Sequence, residues 1–134
     1  MIQWMKRLTL ICAMLGATMG LAGPSIPDVI SQQIAAFAAK DETAAYAHAS
    51  PMIQAKFKTP QAFVDMVQSA YPVIWEHEKV LFLQSAGRGS MIFQEVTFID
   101  KFGTNHNFYY QMIKLDDVWR IDGVFEHPQT GNGV

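Results

Sequence analysis

The chain has one cysteine, Cys12, and no second thiol to pair with it. A disulfide framework is excluded, so an exported form would depend on its apolar core alone. Positive charge is also scarce, with 10 Lys+Arg against 12 Asp+Glu and no basic run. The chain therefore lacks the electrostatic footprint of a nucleic-acid binder or of a protein held on an anionic membrane. The apolar run Leu8–Ala22 holds 15 residues, short of the ~20 that a membrane span needs. Several motifs are missing as well. Arg88 lies between two glycines with no following Gly-Lys and no helix, Ser50 has no Gly-x-Ser-x-Gly frame, and His48, His77, His106 and His127 lack zinc-ligand spacing. These absences argue against a phosphate loop, a nucleophile elbow and a metal centre, and no cofactor is expected.

What is present begins with an export signal. Lys6 and Arg7 precede the apolar run, and Gly20 and Ala22 occupy the −3 and −1 places before Gly23. That order predicts a signal peptide over 1–22 and an exported mature chain with no membrane span after cleavage. Cleavage would remove Cys12 and leave 8 Lys+Arg against 12 Asp+Glu. The remainder, 23–134, has the size of one domain.

The mature part divides into a helical half and a strand-rich half. Ser25 is placed to cap a helix over 26–39, with Pro27 and Asp28 in its first turn and Ile30, Ile34 and Phe37 on its apolar stripe. Asp41 is the cap of a second, alanine-rich helix that ends at Ser50-Pro51, because the residue before proline leaves the α region. Met52, Ile53 and Phe57 form one apolar turn. Thr59-Pro60 then starts a third helix, whose face is Phe63, Met66, Val67 and Ala70. From Val73 the period changes. Strands are predicted over 73–84, 90–99, 104–115 and 118–125, joined by turns at 85–89, 100–103 and 116–117. Helices followed by antiparallel strands make an α+β fold, with three helices on one face of a curved four-stranded sheet.

The order Ile30–Phe37, Ala45–Ala49, Ser50-Pro51, Ile53-Gln54, Phe57, Thr59-Pro60, Phe63 and Met66-Val67 resembles the bacterial DUF4864 family. The resemblance continues through Tyr71-Pro72-Val73, Gln94, Tyr110 and Trp119-Arg120-Ile121-Asp122-Gly123, covering about 28–125. It implies membership of the NTF2-like, cystatin-like superfamily, whose sheet curls into a cone, and a bacterial periplasmic or secreted location. It brings no known activity. Val124 stands where many relatives carry cysteine, so a thiol-dependent role is not open to this chain.

Glu76-His77-Glu78 is the densest titratable cluster. On a strand its histidine would point away from both carboxylates, which suits a solvated face and not a metal site. Arg120 and Asp122 read as a surface ladder. Enzymes of the superfamily use an acid and a base inside the cone, and Tyr46, His48, Asp65, Gln94 and Tyr110 are the residues here that such chemistry would draw on. Asp65 falls off the apolar face of its helix, and Tyr46 and His48 cannot both face the core. The aromatic residues are more numerous than one helix layer can cover. Nine Phe, three Trp and four Tyr predict an apolar pocket at one end of the cone, an open sheet face that self-associates, or both. The reading is an exported, non-enzymatic domain that takes a small apolar ligand at Tyr46, Phe63, Gln94, Tyr110 and Trp119, or forms a homodimer through the sheet. An isomerase- or dehydratase-type enzyme and a structural envelope assembly module are the alternatives.

Overall fold

The computed structural model describes residues 23–127; the predicted signal peptide lies outside the described residues. Four helices come first: α1 (Ile26–Ala38), α2 (Glu42–Ala47), α3 (Pro51–Lys56) and α4 (Pro60–Ala70). A 3₁₀ turn at Pro72–Ile74 leads into strands β1 (Lys79–Arg88), β2 (Met91–Ile99), β3 (Asn105–Leu115) and β4 (Val118–Glu126). The strands pair in sequence order as an antiparallel meander, and the sheet is curved and unclosed.

Each helix starts where a small polar side chain captures an otherwise unpaired N–H. Ser25 and Asp28 form a reciprocal capping box on α1, Asp41 accepts from the Ala44 N–H, and Thr59 accepts from the Ala62 N–H. Ser50-Pro51 does more than end α2. Ser50 accepts from the Ile53 N–H and Pro51 takes the first helical position, where its missing N–H costs nothing. The expected apolar turn around Met52 and Ile53 is therefore a fourth helix. On α4 the buried face is Phe63, Val64 and Val67, while Ala70 is exposed.

The strands differ from expectation at both ends of β1. Pro72 fixes a 3₁₀ turn, so the strand begins at Lys79 and not at Val73. Glu76-His77-Glu78 thus lies in a loop, where strand alternation does not apply. At the other end β1 runs on to Arg88, and the turn shrinks to Gly89-Ser90, with Gly89 at φ +66°. Gly103 turns the second hairpin at φ +84°, and Asp116 and Asp117 turn the third at φ +51° and +65°.

Two irregularities shape the sheet. In β1 the register shifts between Phe82 and Ser85. In β4, Gly123 pairs with Gln111 but Ile121 pairs with Met112, which leaves Asp122 as the extra residue of a bulge. The bulge reverses side-chain alternation. Trp119 and Ile121 pack toward the helices, whereas Phe125, which unbroken alternation would put on their face, lies opposite Tyr109 on the outer face and is 51% exposed. The core between sheet and helices is built on Ile30, Phe37, Val67, Phe98, Phe108 and Tyr110.

Candidate functional site

The helices meet the edge strand β4 in two ways. Before the bulge, residues 48–50 run beside the strand and are stitched to it. The Ser50 N–H donates to the Ile121 carbonyl at 2.8 Å, and the Ile121 N–H donates to the His48 carbonyl at 2.8 Å. At the bulge, fully buried Ser50 donates its hydroxyl to Asp122 Oδ1 at 2.6 Å. Gln111 Nε2 donates to Asp122 Oδ2 at 2.8 Å, so both carboxylate oxygens are engaged. The expected surface ladder of Arg120 and Asp122 is not formed. Asp122 turns inward because the bulge re-aims it, and Arg120 donates to the Ala47 carbonyl at 3.2 Å. Partial burial, and then the charge of Arg120, hold the His48 pKa below the ordinary imidazole value.

Past the bulge, Gly123–Phe125 carry the strand away from the helices and a cleft of about 420 Å³ opens between α3, α4 and β4. Its walls are apolar, including Ile53, Phe57, Phe63, Met66 and Val67. Tyr71 spans one side, with its hydroxyl donating to the Val124 carbonyl at 3.2 Å and its ring edge-on to Phe108 at 5.5 Å. Tyr110 also lines the cleft. It is 0% exposed, and its hydroxyl reaches no protein donor or acceptor. Burial, with Tyr71 adding to it, pushes the phenol pKa far above its ordinary value, so Tyr110 stays a neutral hydroxyl that can donate or accept a hydrogen bond.

Residues 22–134 match the family described as Domain of unknown function (DUF4864). The chain belongs to the DUF4864 family. A comparison with curated proteins found no match.

Of the five residues expected to hold a ligand in this DUF4864 domain, two line the cleft: Phe63 and Tyr110. The other three are committed elsewhere. Tyr46 packs its ring on Phe63 with centroids 5.8 Å apart, but its hydroxyl faces the Phe57 carbonyl at 2.6 Å and the Gln54 carbonyl at 3.0 Å. It braces α3 behind the cleft wall. Gln94 donates to the Leu83 carbonyl at 3.1 Å and the Glu95 carbonyl at 2.9 Å, so its amide is spent on the β1 bulge. Trp119 lies at the sealed end of β4, beneath the Lys114 ammonium at 5.4 Å.

Lys56, Tyr71 and Asp122 also line the DUF4864 cleft and were not among the ligand-binding residues expected from sequence. For Asp122 a signal existed, because a glycine inside a strand pattern marks a bulge and Gly123 follows it. For Lys56 and Tyr71 there was none, since their place depends on how α3 and α4 pack.

The histidines are scattered. His77 donates Nδ1–H to the Val73 carbonyl at 3.0 Å and packs its ring edge on Phe98 at 5.1 Å. His106 pairs with Asp100 at 2.9 Å. That hydrogen bond, followed by one from the Thr104 N–H, holds the Asp100 carboxyl below its ordinary pKa. Among the described residues no group of three or more His, Cys, Asp or Glu is placed to hold a metal ion. No helix among them is long and apolar enough to cross a membrane.

Proposed function

We propose that this protein is an exported, NTF2-like binding domain that holds a small apolar ligand in the cleft beside Phe63, with one hydrogen bond from Tyr110. A single observation carries the reading. A fully buried hydroxyl without a protein partner lines a cleft whose walls are mostly apolar. Such groups are rare because an unmet buried hydroxyl costs about 1–3 kcal/mol, and a ligand that supplies an acceptor there recovers that cost.

The test uses 2-nonanone, an apolar chain bearing one acceptor, in isothermal titration. Binding to the native protein should weaken about fivefold in Tyr110→Phe, the size of one hydrogen bond. Equal affinity for both proteins would remove Tyr110 from the site.

The enzymatic alternative needs a base facing Tyr110. Asp122 is the one carboxylate lining the cleft among the described residues, and Ser50 and Gln111 hold both of its oxygens. That favours binding over acid–base chemistry.

A second reading, self-association, draws on the outer sheet face. There Leu81 and Leu83 on β1 are exposed, as is Phe125 on β4, with Phe93 and Tyr109 half-buried between them. An apolar surface of that kind on a sheet face suits a second copy of the chain. Light scattering after gel filtration should then show a dimer that Leu81→Asp converts to monomer. A native monomer would discard this reading without touching the cleft.

A further inference from the structure

We infer that the ligand of the cleft is an amphipathic anion, held with its charged end at Lys56 and its apolar body inward toward Phe63 and Tyr110. The inference rests on the cleft being a binding site and assigns the chemistry of its occupant.

Two charged side chains, Lys56 and Asp122, line the cleft. Ser50 and Gln111 each donate to one oxygen of Asp122, which anchors that carboxylate at the bulge. Lys56 is the opposite case. It stands exposed in the last turn of α3, its ammonium 5.7 Å from the Phe57 ring centroid, and it forms no ion pair among the described residues. Its aliphatic stem can follow the apolar wall while the ammonium stays at the mouth.

The neutral polar groups point the same way. Gln33 donates its amide to the Ala45 carbonyl at 3.0 Å, and Tyr71 donates to Val124. The side-chain groups left to meet a ligand are the Tyr110 hydroxyl, which can donate or accept, and the Lys56 ammonium, which can only donate. The donor-only ammonium at the mouth selects an acceptor there. The charge must lie at the outer donor, since an ionised group carried to the neutral hydroxyl inside would be buried unpaired at high cost. A ligand cation placed at the mouth would be repelled by the Lys56 ammonium.

Three probes of equal chain length separate this inference from the reading beneath it: nonanoate, 2-nonanone and nonylammonium, each titrated calorimetrically below its aggregation limit. Nonanoate should bind about fivefold tighter than the ketone, the upper range for an exposed charge pair, and nonylammonium should bind weakest. Lys56→Gln should bring the acid-to-ketone ratio close to one, and raising the salt to about 1 M should erode the ratio in the native protein. A merely structural role for Lys56 would move all three affinities together and leave the ratio alone. Equal binding of acid and ketone, or an acid preference that survives Lys56→Gln, overturns the anion assignment while the cleft stands. Binding of none of the three overturns the cleft reading and this inference with it.

Discussion

The two halves of β4 meet the same helical layer and end in opposite states. At Ile121 the strand edge is paired to residues 48–50, and at the bulge both Asp122 oxygens accept hydrogen bonds. From Gly123 to Phe125 the layer stands off, and the Tyr71 hydroxyl at 3.2 Å is the bridging contact. The sealed half is polar and paired. The open half is apolar and keeps one buried hydroxyl unpaired. The one extra residue, Asp122, separates them. It anchors the seam through Ser50 and, by reversing alternation, sets Phe125 opposite Tyr109, where it is half exposed at the rim of the cleft. A cleft beside a hydrogen-bonded seam needs little reorganisation to accept the proposed ligand, which limits the ordering cost.

The sharpest way to break the contrast is at the seam. Ser50→Ala removes the α3 cap and leaves a partly buried carboxylate without its closest donor, so a loss of about 2–3 kcal/mol is expected in urea unfolding. A loss under about 0.5 kcal/mol would mean that the seam does not depend on this pair. The corresponding change on the open side should have the opposite sign. Tyr110→Phe deletes an unmet hydroxyl and leaves the packed ring, so stability should rise by about 1 kcal/mol even as 2-nonanone binds less well. A fall in stability would show that the hydroxyl has a structural partner. The smallest effect is acid sensitivity of the seam. The His48 pKa is lowered in the folded protein, so the unfolded chain binds more protons as the pH falls through about 6.5. The stability from neutral His48 is fully present above that pH and is lost below it. The thermal midpoint should therefore drop between about pH 8 and pH 5, and His48→Gln should remove part of the drop. An unchanged profile in the variant would place the acid sensitivity elsewhere.

Much of the local structure was legible because it depends on near neighbours. Ser25, Asp41 and Thr59 act as caps wherever the chain later packs, and Gly103 and Asp116-Asp117 turn where positive φ is tolerated. Ser50-Pro51 was half-read. Its stop signal was visible, but it also starts α3, since a capping serine before proline both ends one helix and begins the next. The early start expected for β1 followed from its Val, Ile and Trp content. Those residues instead fill a 3₁₀ turn in which Ile74 is buried against the core.

The candidate site was legible only in part. Aromatic surplus indicated an apolar pocket, and Phe63 and Tyr110 do line one. Gln94 misled because a buried amide can serve a backbone bulge as well as a ligand, and the bulge in β1 lies in the register, which sequence does not give. Trp119 and Phe125 were placed on one face by simple alternation, and one inserted residue undid it.

What the sequence determined alone is the order of elements, the caps and turns, family membership and the excess of apolar surface over what one helix layer can cover. These follow from contacts within a few residues or from composition. Tertiary structure decided which half of β4 is sealed, which hydroxyl is left unmet and which charge stands at the mouth. Ser50 finds Asp122 across 72 positions of chain. Such meetings depend on sheet register and on how four helices share one face, and neither is encoded in any local run of residues.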